Sequence, residues 1–185
     1  WGVKIDFTSV RSGDIMAAYA SESISDKDPS RGLKGLHDDS ITFCLDSPDG
    51  DQGFPGNARI QVTYKLDPKG GLHIIYDAVS DQDTVFNLTN HSYFNLNGHD
   101  SGTIYGHILQ LNSEFYTPNT PDCFPYGEVH AVSGTPFDFR APKPLSQDIH
   151  SDFEQIDMFD GIDHNFVLEG EFMRRVATLT GDITG

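Results

Sequence analysis

The sequence predicts an all-β protein built as an antiparallel β-sandwich, whole or truncated. Short β-branched or aromatic runs recur at close intervals along the chain, with turn residues between them, a pattern typical of all-β sandwiches and barrels. The longer runs alternate apolar with polar residues, which predicts strands with one buried face. A chain of 185 residues is most simply one domain, so we expect residues 1–185 to form a single β-sandwich domain.

The predicted strands can be placed in order along the chain. They are Ile41–Leu45, Ala58–Leu66, Leu72–Val79, Thr84–Thr89, His107–Leu111, Phe115–Pro118, Asn165–Leu168 and Arg174–Thr180. The first three are separated by the turns Asp46–Gly50 and Asp67–Gly71, in which proline fixes φ and glycine tolerates a positive φ. The alternation of strands and turns from about residue 58 to residue 90 predicts an antiparallel meander.

Three further segments have weaker patterns. The stretch 118–144 is punctuated by prolines, which predicts loops and edge strands because proline cannot donate to a ladder. Leu145–Asp157 lacks alternation and predicts one short helix or an ordered loop. Within residues 1–38, the polar and charged run Ser21–Ser30 predicts an exposed loop, with an interaction segment as the alternative.

Charge and cysteine content limit the classes of function. The chain has 12 Lys and Arg against 28 Asp and Glu, a net charge of -16, so we expect no nucleic-acid or membrane partner. A neutral small molecule fits this charge better than a phosphorylated one. Cys44 and Cys123 are too isolated for a disulfide framework, and we find neither a long apolar span nor a signal-peptide pattern. These features predict a cytoplasmic protein.

The candidate catalytic residue, His91, lies in the run Asn87–Gly98, just after the predicted strand Thr84–Thr89 ends. His91 is bordered by Asn90 and Ser92, whose hydrogen bonds could fix its tautomer, and histidine ordinarily titrates near neutral pH, as proton transfer requires. The residues alone leave open a structural histidine satisfied by backbone carbonyls. The run also contains two N-glycosylation sequons, but its aromatic residues predict a packed segment rather than a glycosylated loop.

A second candidate is Asp163, which lies in the sequence Gly-Ile-Asp-His-Asn. Its carboxylate could bind hydroxyl groups, or it could be a turn residue that caps its own backbone. The adjacent His164 should point to the opposite face, as neighbours in a strand do. The histidines lack the paired spacing of zinc sites, so we predict no metal.

Several motifs occur together and in order. They are Ser47–Gly50 with Gly53–Gly56, Asn87–Gly98, Pro125–Glu128, Gly134–Arg140 and Gly161–Leu168. This ordered set resembles the aldose 1-epimerases, the galactose mutarotase family, from about Ser40 to Leu168. Residues 1–38 match this family poorly.

The resemblance implies a galactose mutarotase-like supersandwich and interconversion of the α and β anomers of free aldohexoses such as galactose or glucose. His91 matches the family histidine that protonates the ring oxygen, and Asp163 matches the acid that binds sugar hydroxyls. No cofactor is implied, and the expected partner is a small-molecule aldose. Tyr93, Glu128, Asp138 and Arg140 could support the site, although structural roles in turns and strand ends suit each of them better.

The chain also departs from the family pattern. The family's general-base glutamate would follow Gly185, and its arginine and second histidine would precede residue 1. We therefore expect a central portion of an epimerase, catalytically incomplete by itself, or a shortened relative. Truncated sheets would expose edges, which makes self-association possible. A noncatalytic carbohydrate-binding module stays open as an alternative, and a hexose-6-phosphate 1-epimerase ranks third because no basic cluster is present.

Overall fold

The computed structural model describes residues 31–37 and 39–185, so the predicted polar loop Ser21–Ser30 lies outside the described residues. The strands are β1 (Arg31–His37), β2 (Ser40–Ser47), β3 (Ala58–Leu66), β4 (Leu72–Ser80), β5 (Ile108–Leu111), β6 (Phe115–Thr117), β7 (His130–Ala131), β8 (Lys143–Pro144), β9 (Asn165–Val167) and β10 (Ala177–Thr180). All pairings among them are antiparallel. This architecture confirms the all-β, antiparallel prediction.

The chain divides into two compact units, Trp1–Ser92 and Tyr93–Gly185. Two such units can be parts of one domain or two separate domains, so the single β-sandwich domain stays a prediction. Among residues 31–37 and 39–185, no helix is both long and apolar enough to cross a membrane.

The described part of the first unit forms a four-stranded meander in the order β1-β2-β3-β4. The β2 and β3 side chains Cys44 and Val62 are buried, while the hydroxyls of Thr42 and Thr63 face each other across the same pair at 2.9 Å. The alternation in β3 and β4 predicted these strands correctly. Strand β1, which pairs with β2 through an irregularity between Leu33 and Gly35, was not predicted.

The turn between β3 and β4 forms at Asp67–Gly71, where the sequence predicted it, and the Asp67 side chain stabilises it. Its Oδ1 accepts the backbone N–H groups of Lys69 and Gly71, each at 2.8 Å, and Gly70 has the positive φ of 84° that closes the turn. An Asp side chain that satisfies the backbone two residues further on is a known turn former. The turn fixes the register Leu66↔Leu72 at the end of the ladder.

The predicted strand Thr84–Thr89 is wrong. The chain is irregular from residue 81 to residue 107, and Val85 is 70% exposed. Strand propensity is expressed only where a ladder and a packed face are available. Among the described residues no strand pairs with Thr84–Thr89, although β4 leaves one edge of its sheet free. The meander therefore ends at Ser80.

The second unit contains two three-stranded sheets, in the orders β10-β5-β8 and β7-β6-β9. Its core consists of Tyr116, Val132, Phe137 and Ile156, with Phe153, Ile162 and Phe166 packed against it. Ile156 belongs to α1 (Glu154–Asp157), which follows a 3₁₀ turn at Leu145–Gln147. Of the two alternatives predicted for Leu145–Asp157, a short helix or an ordered loop, the structure has the short helix.

Candidate functional site

His91 lies on the surface of the first unit. It belongs to the irregular segment after β4, and hydrogen bonds of its neighbour Asn90 stabilise the backbone around it. The Asn90 Oδ1 accepts the backbone N–H of Ser92 at 3.1 Å, and its Nδ2 lies 3.4 Å from the hydroxyl of Tyr64 on β3. An Asn side chain that binds the backbone two residues on forms a local turn, so Asn90 shapes the backbone that carries His91.

The aromatic residues of the run are exposed. Tyr93 is 88% and Phe94 51% exposed, so the expectation of a packed segment is wrong for these side chains. Aromatic residues normally bury most of their surface. Two exposed aromatic side chains therefore follow His91 closely in the sequence.

The end of the run is tied down by polar side chains within the second unit. Asn95 Oδ1 accepts the backbone N–H of Asn97 at 3.1 Å, and Asn97 Nδ2 donates to Asp182 Oδ1 at 2.8 Å. The hydroxyl of Thr184 donates to the carbonyl of Leu96 at 2.9 Å. The small polar residues of this part of the run therefore serve as structural anchors.

A buried histidine completes this anchor. His107, fully buried just before β5, accepts the backbone N–H of Leu96 on Nε2 at 3.0 Å. A nitrogen that accepts carries no proton, so the neutral ring has its proton on Nδ1. That Nδ1 lies 3.1 Å from Asp182 Oδ1, but it forms no well-aligned hydrogen bond. The contact is a polar one between the ring N–H and the carboxylate. Hydrogen bonding by Asn97, with a smaller effect of His107, lowers the pKa of Asp182.

Asp163 is exposed on the second unit, two residues before β9 begins. Its backbone carbonyl accepts a hydrogen bond from Asn119 Nδ2 at 2.8 Å. The backbone of Asp163 is therefore anchored to the chain that leaves β6, while its carboxylate is accessible to solvent. An accessible carboxylate on an anchored backbone can accept hydroxyl donors.

His164 has a structural environment. Its ring packs on Phe137 with centroids 4.5 Å apart and meets Phe159 edge-on at 5.3 Å. Burial lowers its pKa, and the nearby Asp163 carboxylate opposes this effect. The sequence predicted that Asp163 and His164 do not converge, and the structure confirms that one is exposed while the other packs into the aromatic core.

The remaining sequence candidates lie in ion pairs. Arg140 binds both carboxylate oxygens of Asp138, at 2.8 and 2.7 Å, and also Glu114 at 2.7 Å. The pKa of Asp138 is lowered chiefly by its hydrogen bond to Arg140. Glu128 pairs with His130 on the surface at 2.9 Å. These contacts agree with the structural roles expected for Asp138, Arg140 and Glu128.

The two principal candidates belong to different units, His91 to the first and Asp163 to the second. Among the described residues, no group of three His, Cys, Asp or Glu side chains could hold a metal ion. Sequence analysis missed Asn119, which binds the Asp163 carbonyl, and Gln155, which binds Asn119 and His164. Nothing in the sequence marked them, because their contacts with residues 163 and 164 depend on the tertiary fold.

Residues 24–185 match the statistical model of the aldose 1-epimerase family. The chain belongs to the aldose 1-epimerase family. The match includes the segments that carry His91 and Asp163, and it begins before Ser40, where the recognisable motifs start.

Two named relatives show how similar the chain is to other aldose 1-epimerase sequences. It is 39% identical over 148 residues to the aldose 1-epimerase of Haemophilus influenzae, covering 78% of this chain and 43% of that protein. It is 43% identical over 130 residues to the galactose mutarotase of Homo sapiens, covering 70% of this chain and 36% of that protein. The chain thus spans less than half the length of these curated relatives.

Solved structures of the family show the same fold. The galactose 1-epimerase of Lactobacillus acidophilus superimposes with a TM-score of 0.72 at 33% identity, covering 82% of this chain and 45% of that chain. An aldose epimerase homologue from C. elegans gives a TM-score of 0.73 at 26% identity, covering 84% of this chain and 46% of that chain. The galactose mutarotase-like fold predicted from the motifs is confirmed.

Proposed function

We propose that this chain is the part of an aldose 1-epimerase that supplies the acid His91 and the sugar ligand Asp163. The protein would interconvert the α and β anomers of free aldohexoses such as galactose or glucose. The observation that carries the proposal is the family match, which contains both residues in their motifs. Both side chains are also exposed, as groups that must meet a substrate from solution have to be.

The chemistry is a ring opening with two proton transfers. A base takes the proton of the C1 hydroxyl, the bond between C1 and the ring oxygen breaks, and His91 gives a proton to that oxygen. Rotation about the C1–C2 bond of the open aldehyde and closure in the reverse sense yield the other anomer, so His91 recovers its proton. General acid or base catalysis by a positioned side chain contributes about 10²- to 10⁴-fold in rate.

Asp163 would bind the sugar rather than transfer a proton. A carboxylate accepts hydroxyl hydrogen bonds on both oxygens, and charge-assisted bonds of this kind are roughly twice as strong as neutral ones. The exposed carboxylate on a backbone held by Asn119 suits that role. We expect it to orient the ring and leave the chemistry at C1 to other groups.

No residue of the chain is assigned as the general base, and the proposal expects that group from outside residues 1–185. A noncatalytic carbohydrate-binding module of the same fold is the second candidate, favoured by this missing assignment. The hexose-6-phosphate alternative ranks third. Arg59, Arg140 and Lys143 each already bind a carboxylate, which leaves them less available to a phosphate.

A galactose titration followed by protein NMR tests the sugar site. We expect saturable shifts at the amides around His91 and Asp163, and an increase of about tenfold in Kd for Asp163→Asn, because a charged hydrogen-bond acceptor is lost. Asp160→Asn is the matched control. Asp160 is also exposed and has a φ of 49° that Asn tolerates well. Galactose that causes no shifts, or binds equally to Asp163→Asn, would overturn the assigned site.

A cytoplasmic location and self-association stay proposals. Cys44 and Cys123 are both free thiols, which suits a reducing compartment. Strand β4 forms an edge of its sheet, with Ile75 and Val79 partly exposed on it, and such edges favour pairing with another chain.

A further inference from the structure

Two polar side chains lie buried at the base of the loop that carries Asp163. Asn119 is 7% and Gln155 6% exposed, and Gln155 directly precedes the core residue Ile156 in the sequence. Buried amides are costly unless they are hydrogen-bonded. Their hydrogen bonds therefore indicate what these residues hold in place.

Gln155 binds both backbone groups of Asn119. The Asn119 N–H donates to Gln155 Oε1 at 2.8 Å, and Gln155 Nε2 donates to the Asn119 carbonyl at 3.2 Å. These two bonds fix which end of the Gln155 amide is oxygen, because a backbone N–H can only donate and a carbonyl can only accept. The first turn of α1 is thereby joined to the chain that leaves β6.

From this junction, two more hydrogen bonds reach the loop. Asn119 Nδ2 donates to the carbonyl of Asp163 at 2.8 Å, and His164 Nε2 lies 2.9 Å from Gln155 Oε1. Since Oε1 is an acceptor, Nε2 must carry the ring proton of His164. The other ring nitrogen, Nδ1, is buried and has no hydrogen-bond partner in the described part of the chain, which agrees with a neutral ring.

The network thus holds two consecutive residues. The carbonyl of Asp163 is fixed by Asn119, and the ring of His164 is fixed by Gln155 and by its packing on Phe137. The peptide that joins residues 163 and 164 is anchored at both ends. Asp163 itself turns its side chain to solvent, and this anchoring restricts the directions that its Cα–Cβ bond can take.

We propose that Asn119, Gln155 and His164 are positioning residues that hold the Asp163 carboxylate in the orientation needed to bind sugar hydroxyls. The inference rests on the proposed function for its ligand, whereas the network itself rests on geometry alone. Binding groups set on rigid supports cost less ordering entropy when the ligand arrives. Loosening the support should therefore weaken sugar binding without removing any group that touches sugar.

A matched pair of substitutions separates positioning from simple structural support. His164→Phe keeps a ring against Phe137 but removes the hydrogen bond to Gln155, whereas His164→Gln keeps a donor but loses the ring. If His164 positions Asp163, His164→Phe should be as stable as the wild-type chain yet bind galactose about three- to tenfold more weakly. His164→Gln should be less stable and bind galactose nearly as well as the wild-type chain. Affinities that follow stability across the pair would overturn the proposal.

Asn119→Leu gives the direct test, because it removes only the side-chain donor to Asp163 and leaves the backbone groups that Gln155 binds. We expect the backbone ¹⁵N order parameter of residue 164, whose amide shares a peptide plane with the Asp163 carbonyl, to fall in this variant and in His164→Phe, measured on the full chain without sugar. Unchanged order parameters would overturn the positioning role whatever the sugar result. If the wild-type chain binds no aldose, the proposed function and the assigned ligand fail. The order parameters still decide whether the network holds Asp163.

Discussion

The hydrogen bonding and burial of the His164 ring indicate its protonation state. Its Nε2 is bound to an acceptor and its Nδ1 is buried, so a second proton would lie against apolar neighbours. Burial accordingly lowers its pKa. The folded chain therefore binds fewer protons at this site than the unfolded chain, in which histidine titrates near about 6.5.

The lowered pKa predicts how stability depends on pH. Because the unfolded state binds more protons at this site, its contribution to the free energy of unfolding is complete above the ordinary histidine pKa and is lost as pH falls below it. Urea unfolding of the wild-type chain and of His164→Phe, from about pH 5 to about pH 7.5, measures this. The stability difference, wild type minus variant, should increase with pH across this range. A difference that is independent of pH would show that His164 does not titrate as proposed.

A second prediction concerns the centre of the aromatic core. Phe137 is fully buried, and its ring lies 4.7 Å from Tyr116 and 4.5 Å from His164 between centroids. Phe137→Ala should lower the free energy of unfolding by about 3–5 kcal/mol, through lost burial and the cavity that remains. Phe124→Ala, at a position 68% exposed, should change it by less than about 0.5 kcal/mol. Equal effects in chemical denaturation would contradict the assignment of this core.

The residues of the candidate site were predictable to different degrees. His91 and Asp163 were found because each lies in a contiguous motif that resembles a known family. Asn119 and Gln155 are ordinary in the sequence, and they meet only because α1 packs beside the end of β6. The contact joins residues 36 positions apart. Local patterns carry no information about such a contact.

At the scale of elements, hydrogen bonds decide which predicted strands form. Strands β3 and β4 alternate clearly and have a ladder partner, and both were predicted within a residue of their ends. Thr84–Thr89 has similar residue types but no ladder. Strands β7 and β8, of two residues each, are too short to leave a periodic signal. Strand prediction is therefore best where one segment both alternates and follows a tight turn.

The hydrogen bond between His107 and Leu96 leads to a prediction about how the end of the run Asn87–Gly98 is held. His107→Leu removes the acceptor of the Leu96 N–H, and leaving a partly buried donor unsatisfied costs about 1–3 kcal/mol. Hydrogen exchange at the Leu96 amide should become about tenfold faster or more. His107→Gln, which can present a carbonyl oxygen near the former Nε2, should restore much of the protection. Equal protection of Leu96 in His107→Leu and the wild-type chain would show that this anchor does not hold the run.

For the whole molecule, family membership and fold are shown by the comparisons, whereas its activity is our proposal. The acidic surface, with 28 Asp and Glu against 12 Lys and Arg, suits a neutral sugar. The chain spans less than half the length of its relatives, and no general base is assigned within it. The claim to test is therefore the role of His91 as the acid.

Polarimetry of freshly dissolved α-galactose tests that claim most directly, with formate added in increasing concentration as a small external base. We expect the rate of mutarotation to rise more steeply with formate concentration in the presence of the wild-type chain than in buffer alone. The control His99→Ala, at another exposed histidine, should behave as the wild-type chain does. His91→Ala, folded as judged by circular dichroism, should lose that acceleration. Equal rates with the wild-type chain and His91→Ala would contradict the account, and a folded wild-type chain that binds galactose without any acceleration would favour the binding module.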